Sequence, residues 1–301
     1  MEQHDRTASR IAPTPTPGPE LAYVDETGHA RLRQSIVAFL DILGFSHSIR
    51  ATAEKEDAQL LVDRILAAIN DSRQFVRQSF AESFTSELNR WALKFFSDNL
   101  VLGFPFEGSA LSPASAAWFV IRCAQRYQFR MSFNGFFLRG ALTQGPICLT
   151  DDIIFGSALL ECYQLETKAS IVPRVILTEP LTQLLVKSLR EPAEAAADAR
   201  NSICRDIDGW WFINYLEAAV DGERVDWAAV ERHKNAVLQS LAGITRHDVL
   251  PKFGWACRYH NMFCHWHRDA AEYSDRFRID RTDESSLIRR LGEVADLDHA
   301  V

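Results

Sequence analysis

The sequence lacks several features, and each absence narrows the class of protein. It has no basic block, and its 33 lysines and arginines are outnumbered by 40 aspartates and glutamates, so we expect no binding of nucleic acid. No apolar run approaches the ~20 residues that cross a bilayer, so we expect no membrane insertion. The polar, proline-rich start is unlike a signal peptide. Six cysteines without a CxxC pair indicate reduced thiols in a cytoplasmic protein.

Common catalytic and metal motifs are also missing, since no GxSxG, Walker loop or HExxH occurs. A zinc interpretation is suggested only by Cys257, His260 and Cys264, which share one helical face. A closed structural zinc site usually takes its ligands from two elements of the fold. Because aromatic residues are interleaved with these three, the pattern favours a packing helix.

What is present indicates one large domain with an extension, because 47% of the 301 residues are hydrophobic. Residues 1–30 include TPTPGP, which forms neither helix nor ladder strand, and are predicted to be a flexible N-terminal tail. Residues 31–180 form the predicted core. Residues 181–301 form a predicted C-terminal extension packed on that core, with helices at 227–244 and 250–268.

The order of elements within the core predicts an α+β fold with a ferredoxin-like sheet. The periodicity indicates strands at 35–41, 91–97, 99–106, 136–145 and 173–178, and helices at 57–80, 112–129 and 156–170. This β-α-β-β-α-β order, followed by α-β, is the ferredoxin-like arrangement. We expect its helices to cover one face of the sheet and leave the other free.

Two aspartates at strand ends are the candidate chemistry. Asp41 ends the first strand before the glycine-containing loop ILGFS, and Asp98 lies between two apolar strands. The two strands are neighbours in a ferredoxin-like sheet, so the acids converge at one edge. A divalent cation between them would remove their repulsion, and two such ions could bind a triphosphate.

A plainer alternative exists for each aspartate. The SDN sequence around Asp98 is good hairpin-turn chemistry, and Asp41 could cap the following helix. Asp98 alone fits a turn better than a metal site. Their combined position in the fold favours a functional pair.

These residues lie in segments that resemble the class III nucleotidyl cyclases. VAFLDILGFS (37–46) resembles the first metal-binding strand of that family, and KFFSD (94–98) resembles the hairpin that supplies the second metal aspartate. LRGALTQGPI and FGSALLECYQLETKASIVPRVIL resemble the strand and helix that complete the site. Within that family, these segments most resemble the pyrimidine-specific cyclases of the Pycsar anti-phage system. The similarity covers most of 35–178, with a fainter match near 252–261.

The resemblance implies a two-metal cyclase that works as a homodimer with sites shared between protomers. Asp41, Asp98 and the backbone carbonyl of Ile42 would bind two divalent cations, Mn or Mg. The 3′-hydroxyl of a nucleoside triphosphate would attack its own α-phosphate and release pyrophosphate. The residues implied around the nucleotide are Ile42, Leu43, Gly44, Phe45 and Lys94.

The departures from the family pattern concern the transition state and the base. An asparagine and an arginine of purine cyclases fall on Leu160 and Gln164, so Arg139 is the candidate substitute, unless it merely pairs with a neighbouring acid. Lys94 falls where adenylyl cyclases keep a purine-reading lysine. The partner acid falls on Ile153, and one polar reader beside an apolar wall suits a base smaller than a purine.

The sequence therefore predicts a pyrimidine nucleotide cyclase that uses UTP or CTP, with a product sensed by a separate effector protein in anti-phage defence. One alternative is a purine cyclase that uses Lys94 as base reader. Another is a cyclase-like domain that binds nucleotide without turnover and regulates a partner. Retention of both Asp41 and Asp98 favours an enzyme.

Overall fold

The fold is seen in a computed structural model that describes residues 22–52, 55–80, 90, 92–96, 98–189, 200–242, 249–279 and 289–290. Its strands are β1 (Arg33–Ile42), β2 (Ala92–Phe96), β3 (Asn99–Pro105), β4 (Leu138–Leu149), β5 (Ile154–Phe155), β6 (Val175–Leu177), β7 (Ile203–Arg205), β8 (Trp211–Ile213), β9 (Val220–Asp221), β10 (Arg224–Val225) and β11 (Arg289–Arg290). Its helices are α1 (Phe45–Ala51), α2 (Lys55–Phe80), α3 (Pro113–Ser132), α4 (Ser157–Lys168), α5 (Glu179–Ser188), α6 (Trp227–Ala242) and α7 (Leu250–Trp266). Short 3-10 turns cover Tyr215–Ala219 and Asp275–Phe277. No helix among the described residues is long and apolar enough to span a bilayer.

The core of the sheet has the strand order β4-β1-β3-β2, and each neighbouring pair in it is antiparallel. This order confirms the predicted α+β class with a ferredoxin-like sheet. The central strand β1 is buried continuously from Ser35 to Ile42, which explains its unbroken apolar run. It ends beside the turn between β2 and β3.

One face of the sheet is covered by α2 and α3. Helix α3 begins as predicted at a Ser-Pro pair, where Ser112 Oγ accepts a hydrogen bond from the Ser115 N–H at 3.1 Å and Pro113 occupies the first turn. Phe119 of α3 packs on Phe104 of β3, with ring centroids 5.4 Å apart. Phe104 lies opposite Ile36 of β1, so both side chains point to this face.

The other face is not free, which corrects the prediction of a sheet covered on one side only. Phe39 lies three residues after Ile36 on β1 and therefore points to the opposite face. There it meets Tyr163 of α4, with ring centroids 5.8 Å apart. The Cys162 thiol, also on α4, is fully buried and lies 3.7 Å from the Val37 carbonyl oxygen. Helix α4 thus covers β1 beside the site.

The C-terminal part of the chain extends the same sheet. Strand β6 is parallel to β4, β8 pairs with β6, and β7 pairs with β8. The predicted boundary at residue 180 falls inside α5. Helices α6 and α7 match the two predicted helices, and residues 190–199 lie outside the described residues.

The packed structure also begins earlier than residue 31. Residues 1–21 of the predicted tail lie outside the described residues. Tyr23, however, is fully buried, and its hydroxyl donates a hydrogen bond to Ser35 Oγ at 2.9 Å. Val24 forms an antiparallel bridge with Ala30. Tyr23 therefore anchors this segment to the core, and residues 26–30 form an exposed turn closed by the Val24–Ala30 bridge.

Candidate active site

Asp41 and Asp98 lie at the same end of the sheet. Asp41 is the penultimate residue of β1 and faces Asn99, the first residue of β3. Asp98 lies in the turn that precedes β3, and its carbonyl oxygen accepts a hydrogen bond from the Ile42 N–H at 3.2 Å. The Asn99 amide donates to Asp98 Oδ1 at 3.2 Å. Asp98 is therefore a turn residue, and the turn carries it to the strand end that holds Asp41.

The loop after β1 turns sharply at Gly44. This residue has φ of 81° in the left-handed region, which glycine adopts at no steric cost, and it precedes α1. The Leu43 N–H donates to the Phe137 carbonyl oxygen at 2.8 Å, and the Ile42 N–H is bonded to Asp98. The N–H groups of Ile42 and Leu43 are therefore engaged within the fold.

Arg139 lies opposite Asp41 on β4 and bridges two carboxylates. Its Nε is 2.8 Å from Asp41 Oδ2, and its terminal nitrogen is 2.7 Å from Glu166 Oε1. The ion pair that was the alternative role for Arg139 is therefore present. Glu166 is only 5% exposed, so its carboxylate is a buried partner of Arg139.

The site carries more negative than positive charge. Burial raises the pKa of Asp41 to about 7, even though the hydrogen bond and charge of Arg139 lower it. The charges of Glu166 and Asp98 raise the Asp41 pKa further. One guanidinium thus pairs with two of these three carboxyl groups, and an additional cation here would be stabilised.

The oxygen ligands present suit a hard divalent cation, although they are few. No group of three or more His, Cys, Asp or Glu side chains that could hold a metal ion is found among the described residues. The candidate ligands are the carboxylates of Asp41 and Asp98 and the backbone carbonyl of Ile42. Carboxylate and carbonyl oxygens are the ligands that Mg and Mn prefer.

Lys94 has an acidic partner that the sequence comparison missed. Its ammonium group forms an ion pair with Asp151, in the loop between β4 and β5. The family pattern had placed the partner acid at Ile153, whose side chain is exposed. The predicted single polar reader is therefore a pair of opposite charges, and the argument for an apolar wall at this position does not hold.

An open cavity of about 540 Å³ lies between the sheet and the start of α4. It is lined by Phe39, Asn99, Ile154, Phe155, Gly156, Ser157, Leu159, Leu160 and Tyr163. Asn99 places it beside the turn that carries Asp98. Leu160, which replaces the asparagine of purine cyclases, contributes an apolar wall here.

A second buried polar cluster lies in the extension and explains the histidine of the discounted zinc pattern. His260 Nε2 is 2.8 Å from the Phe277 carbonyl, which only accepts, so this nitrogen carries the proton. Its Nδ1 then accepts from His233 Nδ1–H at 3.0 Å, and His233 Nε2 accepts from the Tyr215 hydroxyl at 2.9 Å. Burial lowers the pKa of His260 to about 4 and that of His233 as well, so both rings are neutral.

Comparison with known proteins gives structural neighbours only. No protein-family model and no curated protein matches the chain. The adenylyl cyclase CyaB from P. aeruginosa is 16% identical with a TM-score of 0.43, over 65% of this chain and 97% of that one. The catalytic core of a rhodopsin-guanylyl cyclase with converted specificity, in complex with ATPαS, is 13% identical with a TM-score of 0.40, over 60% and 96%.

A third neighbour is a class III adenylyl cyclase-like ATP-binding protein from Pseudomonas aeruginosa. It is 12% identical with a TM-score of 0.37, over 58% of this chain. The present chain spans 41% of that protein's length. With TM-scores below 0.5, these likenesses carry no argument about activity, which depends on the residues of the site.

Proposed function

We propose that the protein is a nucleotide cyclase that converts UTP or CTP to the 3′,5′-cyclic monophosphate and pyrophosphate. The observation that carries the proposal is the placement of Asp41 and Asp98 at one end of the sheet, beside the Gly44 turn. The preference for a pyrimidine comes from the resemblance of the sequence to anti-phage pyrimidine cyclases. In that setting the product is a second messenger, read by a separate effector protein.

The chain's own groups divide the work of binding and orientation. Asp41, Asp98 and the Ile42 carbonyl would hold two Mn or Mg ions, whose chemistry is to lower the pKa of the attacking 3′-hydroxyl and neutralise the phosphates. Backbone N–H groups of Gly44 and Phe45 bind phosphate oxygens at the turn. Arg139 supplies a positive charge at the same strand end, in place of the arginine that Gln164 replaces.

The Lys94–Asp151 pair is also the observation behind a second candidate, a purine cyclase. A cation and an anion side by side offer a donor and an acceptor, and this is the combination expected for reading the edge of adenine or guanine. Uracil and cytosine also present both a donor and an acceptor. The polarity of the pair therefore fits either class of base.

A homodimer is part of the proposal, because one surface beside the site is rich in exposed apolar side chains. Ile153, Phe155, Leu160 and Tyr163 have exposed fractions between 48% and 60%. Exposed apolar patches of this kind mark interaction sites. The occupant proposed is a second copy of the chain, whose Lys94–Asp151 pair would face the first protomer's aspartates.

The deciding experiment offers the purified protein Mn²⁺ and each of the four labelled nucleoside triphosphates, and resolves the products by chromatography. Cyclic UMP or cyclic CMP supports the proposal, whereas cyclic AMP or cyclic GMP supports the purine candidate. If a folded dimer turns over none of the four, the enzyme proposal is wrong. A cyclase-like domain that binds nucleotide and regulates a partner would then remain.

A further inference from the structure

Glu166 is a buried acid with a defined orientation beside the proposed metal ligands. It lies near the end of α4, and its Oε2 accepts a hydrogen bond from the Thr167 hydroxyl at 3.1 Å. Its Oε1 lies 2.7 Å from the terminal nitrogen of Arg139. A carboxylate that is only 5% exposed is costly unless it is paired, and Arg139 is the partner that offsets this cost.

Arg139 and a metal ion compete for the same carboxylate. Arg139 Nε lies 2.8 Å from Asp41 Oδ2, and Asp41 is also a proposed metal ligand. A divalent cation on Asp41 repels the guanidinium next to it. The Arg139 side chain is 23% exposed, and a partly buried guanidinium without any acidic partner would be strongly destabilised. When the cation takes Asp41, Glu166 remains as the acidic partner of Arg139.

We propose that Glu166 is a positioning residue that retains Arg139 at the strand end when a divalent cation replaces it on Asp41. The inference rests on the proposed function, since it needs Asp41 to bind the cation. Glu166 acts through Arg139 and does not touch the substrate. With Glu166 in place, Arg139 exchanges one acid for the other with a small movement and stays close to where the phosphates bind.

The test is a titration of the whole protein with Mn²⁺, in which the electron paramagnetic resonance signal of free Mn²⁺ is measured. Glu166→Gln removes the charge that receives Arg139, so we expect Mn²⁺ to bind about tenfold more weakly. Glu161→Gln is the matched control on the same helix, because Glu161 bonds Thr143 and is expected to leave the affinity unchanged. Glu166→Asp keeps the charge and is expected to restore part of the affinity.

A double-mutant cycle separates action through Arg139 from direct attraction of the ion. If Glu166 acts through Arg139, Glu166→Gln has little effect on Mn²⁺ affinity once Arg139→Met is present. An equal loss in both backgrounds, or no loss in either, overturns the inference. Should Glu166→Gln fail to fold by circular dichroism, Glu166→Asp takes its place in the cycle, and an unchanged affinity overturns the inference there too.

The same titration distinguishes this inference from the proposed function. If the wild type binds Mn²⁺ and Asp41→Ala abolishes that binding, the metal site stands and only the role of Glu166 is at issue. If the wild type shows no binding that depends on Asp41, the proposed function fails first.

Discussion

Two buried polar clusters of this protein, one around Arg139 and one around His260, differ in how their groups are satisfied. At the strand end, Arg139 is shared between Asp41 and Glu166, and a further acid, Asp98, stands nearby. In the extension, the hydrogen-bond chain Tyr215–His233–His260 ends on a backbone carbonyl, and each donor in it has one assigned acceptor. The first cluster consists of charged groups that can change partners, whereas the second consists of neutral groups whose hydrogen bonds are all formed.

That difference separates a site that can bind from a cluster that only stabilises. An incoming cation finds acids at the strand end that a single guanidinium does not fully neutralise. In the histidine chain every ring nitrogen is hydrogen-bonded, and all three side chains are buried. Breaking either cluster should therefore produce a different kind of loss, in activity for one and in stability for the other.

The largest expected effect is the loss of turnover in Asp98→Ala or Asp41→Ala. Removal of one carboxylate from a two-acid metal site should reduce formation of the cyclic nucleotide by on the order of 10³-fold or more. Asp98 raises the pKa of Asp41, so its removal also relieves a repulsion and the fold should not suffer. The measurement is product formation with Mn²⁺, alongside the thermal melting temperature and the dimer mass by light scattering.

Asp63→Ala is a suitable control for that experiment, because Asp63 is an exposed acid on α2 that accepts a hydrogen bond from Gln59. It should leave turnover unchanged. An Asp98→Ala variant with normal activity would return Asp98 to a purely structural role in the turn.

The next effect is on stability and belongs to the histidine chain. His260→Leu leaves the His233 Nδ1–H without an acceptor and removes the His260 donor from the Phe277 carbonyl, which should lower the free energy of unfolding by about 2–4 kcal/mol. His265→Leu, at an exposed position of the same helix, should change it by less than about 0.5 kcal/mol. Urea denaturation measures both, and equal effects would contradict the assigned network.

The smallest effect is a pH dependence in which the two clusters oppose each other. The pKa of His260 is 6.5 unfolded and about 4 folded, so stability falls as the pH drops through that interval. The pKa of Asp41 rises from 3.8 to about 7 on folding, so its contribution is lost as the pH rises through that interval. Each slope is at most about 1.4 kcal/mol per pH unit.

Variants should separate these two slopes between pH 4 and 6.5. Asp41→Asn should leave a steeper rise of stability with pH, and His260→Leu a flatter or inverted profile. Denaturation at a series of pH values provides the measurement. Parallel profiles for the two variants would mean that neither group titrates as assigned.

The sequence was sufficient for the elements that place Asp41 and Asp98. The unbroken apolar run of β1, the SDN turn and the Ser-Pro start of α3 are local signals, and each predicted its element within a few residues. Strand β7 was missed because only three residues, Ile203–Arg205, form it. Short strands carry too little periodicity to be read from a sequence.

The partners of the charged groups could not be predicted in the same way. Lys94 and Asp151 are 57 residues apart, and His233 and His260 are 27 apart, so only the tertiary fold brings them together. The burial of Glu166 depends on how α4 rotates over β1 and β4. One signal was available for Asp151, since an acid stands two positions before the residue that the family pattern selected.

Tyr23 has a consequence for anyone who shortens the chain. Its ring lies over Gly103 of β3. A Cβ atom at that position would come within 2.5 Å of the Tyr23 hydroxyl oxygen, so only glycine leaves room for the phenol. A truncation at residue 31, the boundary that composition alone suggests, would remove that ring and open a void above β3. Shortened versions for crystallisation or for fusion to another domain should therefore begin before Tyr23.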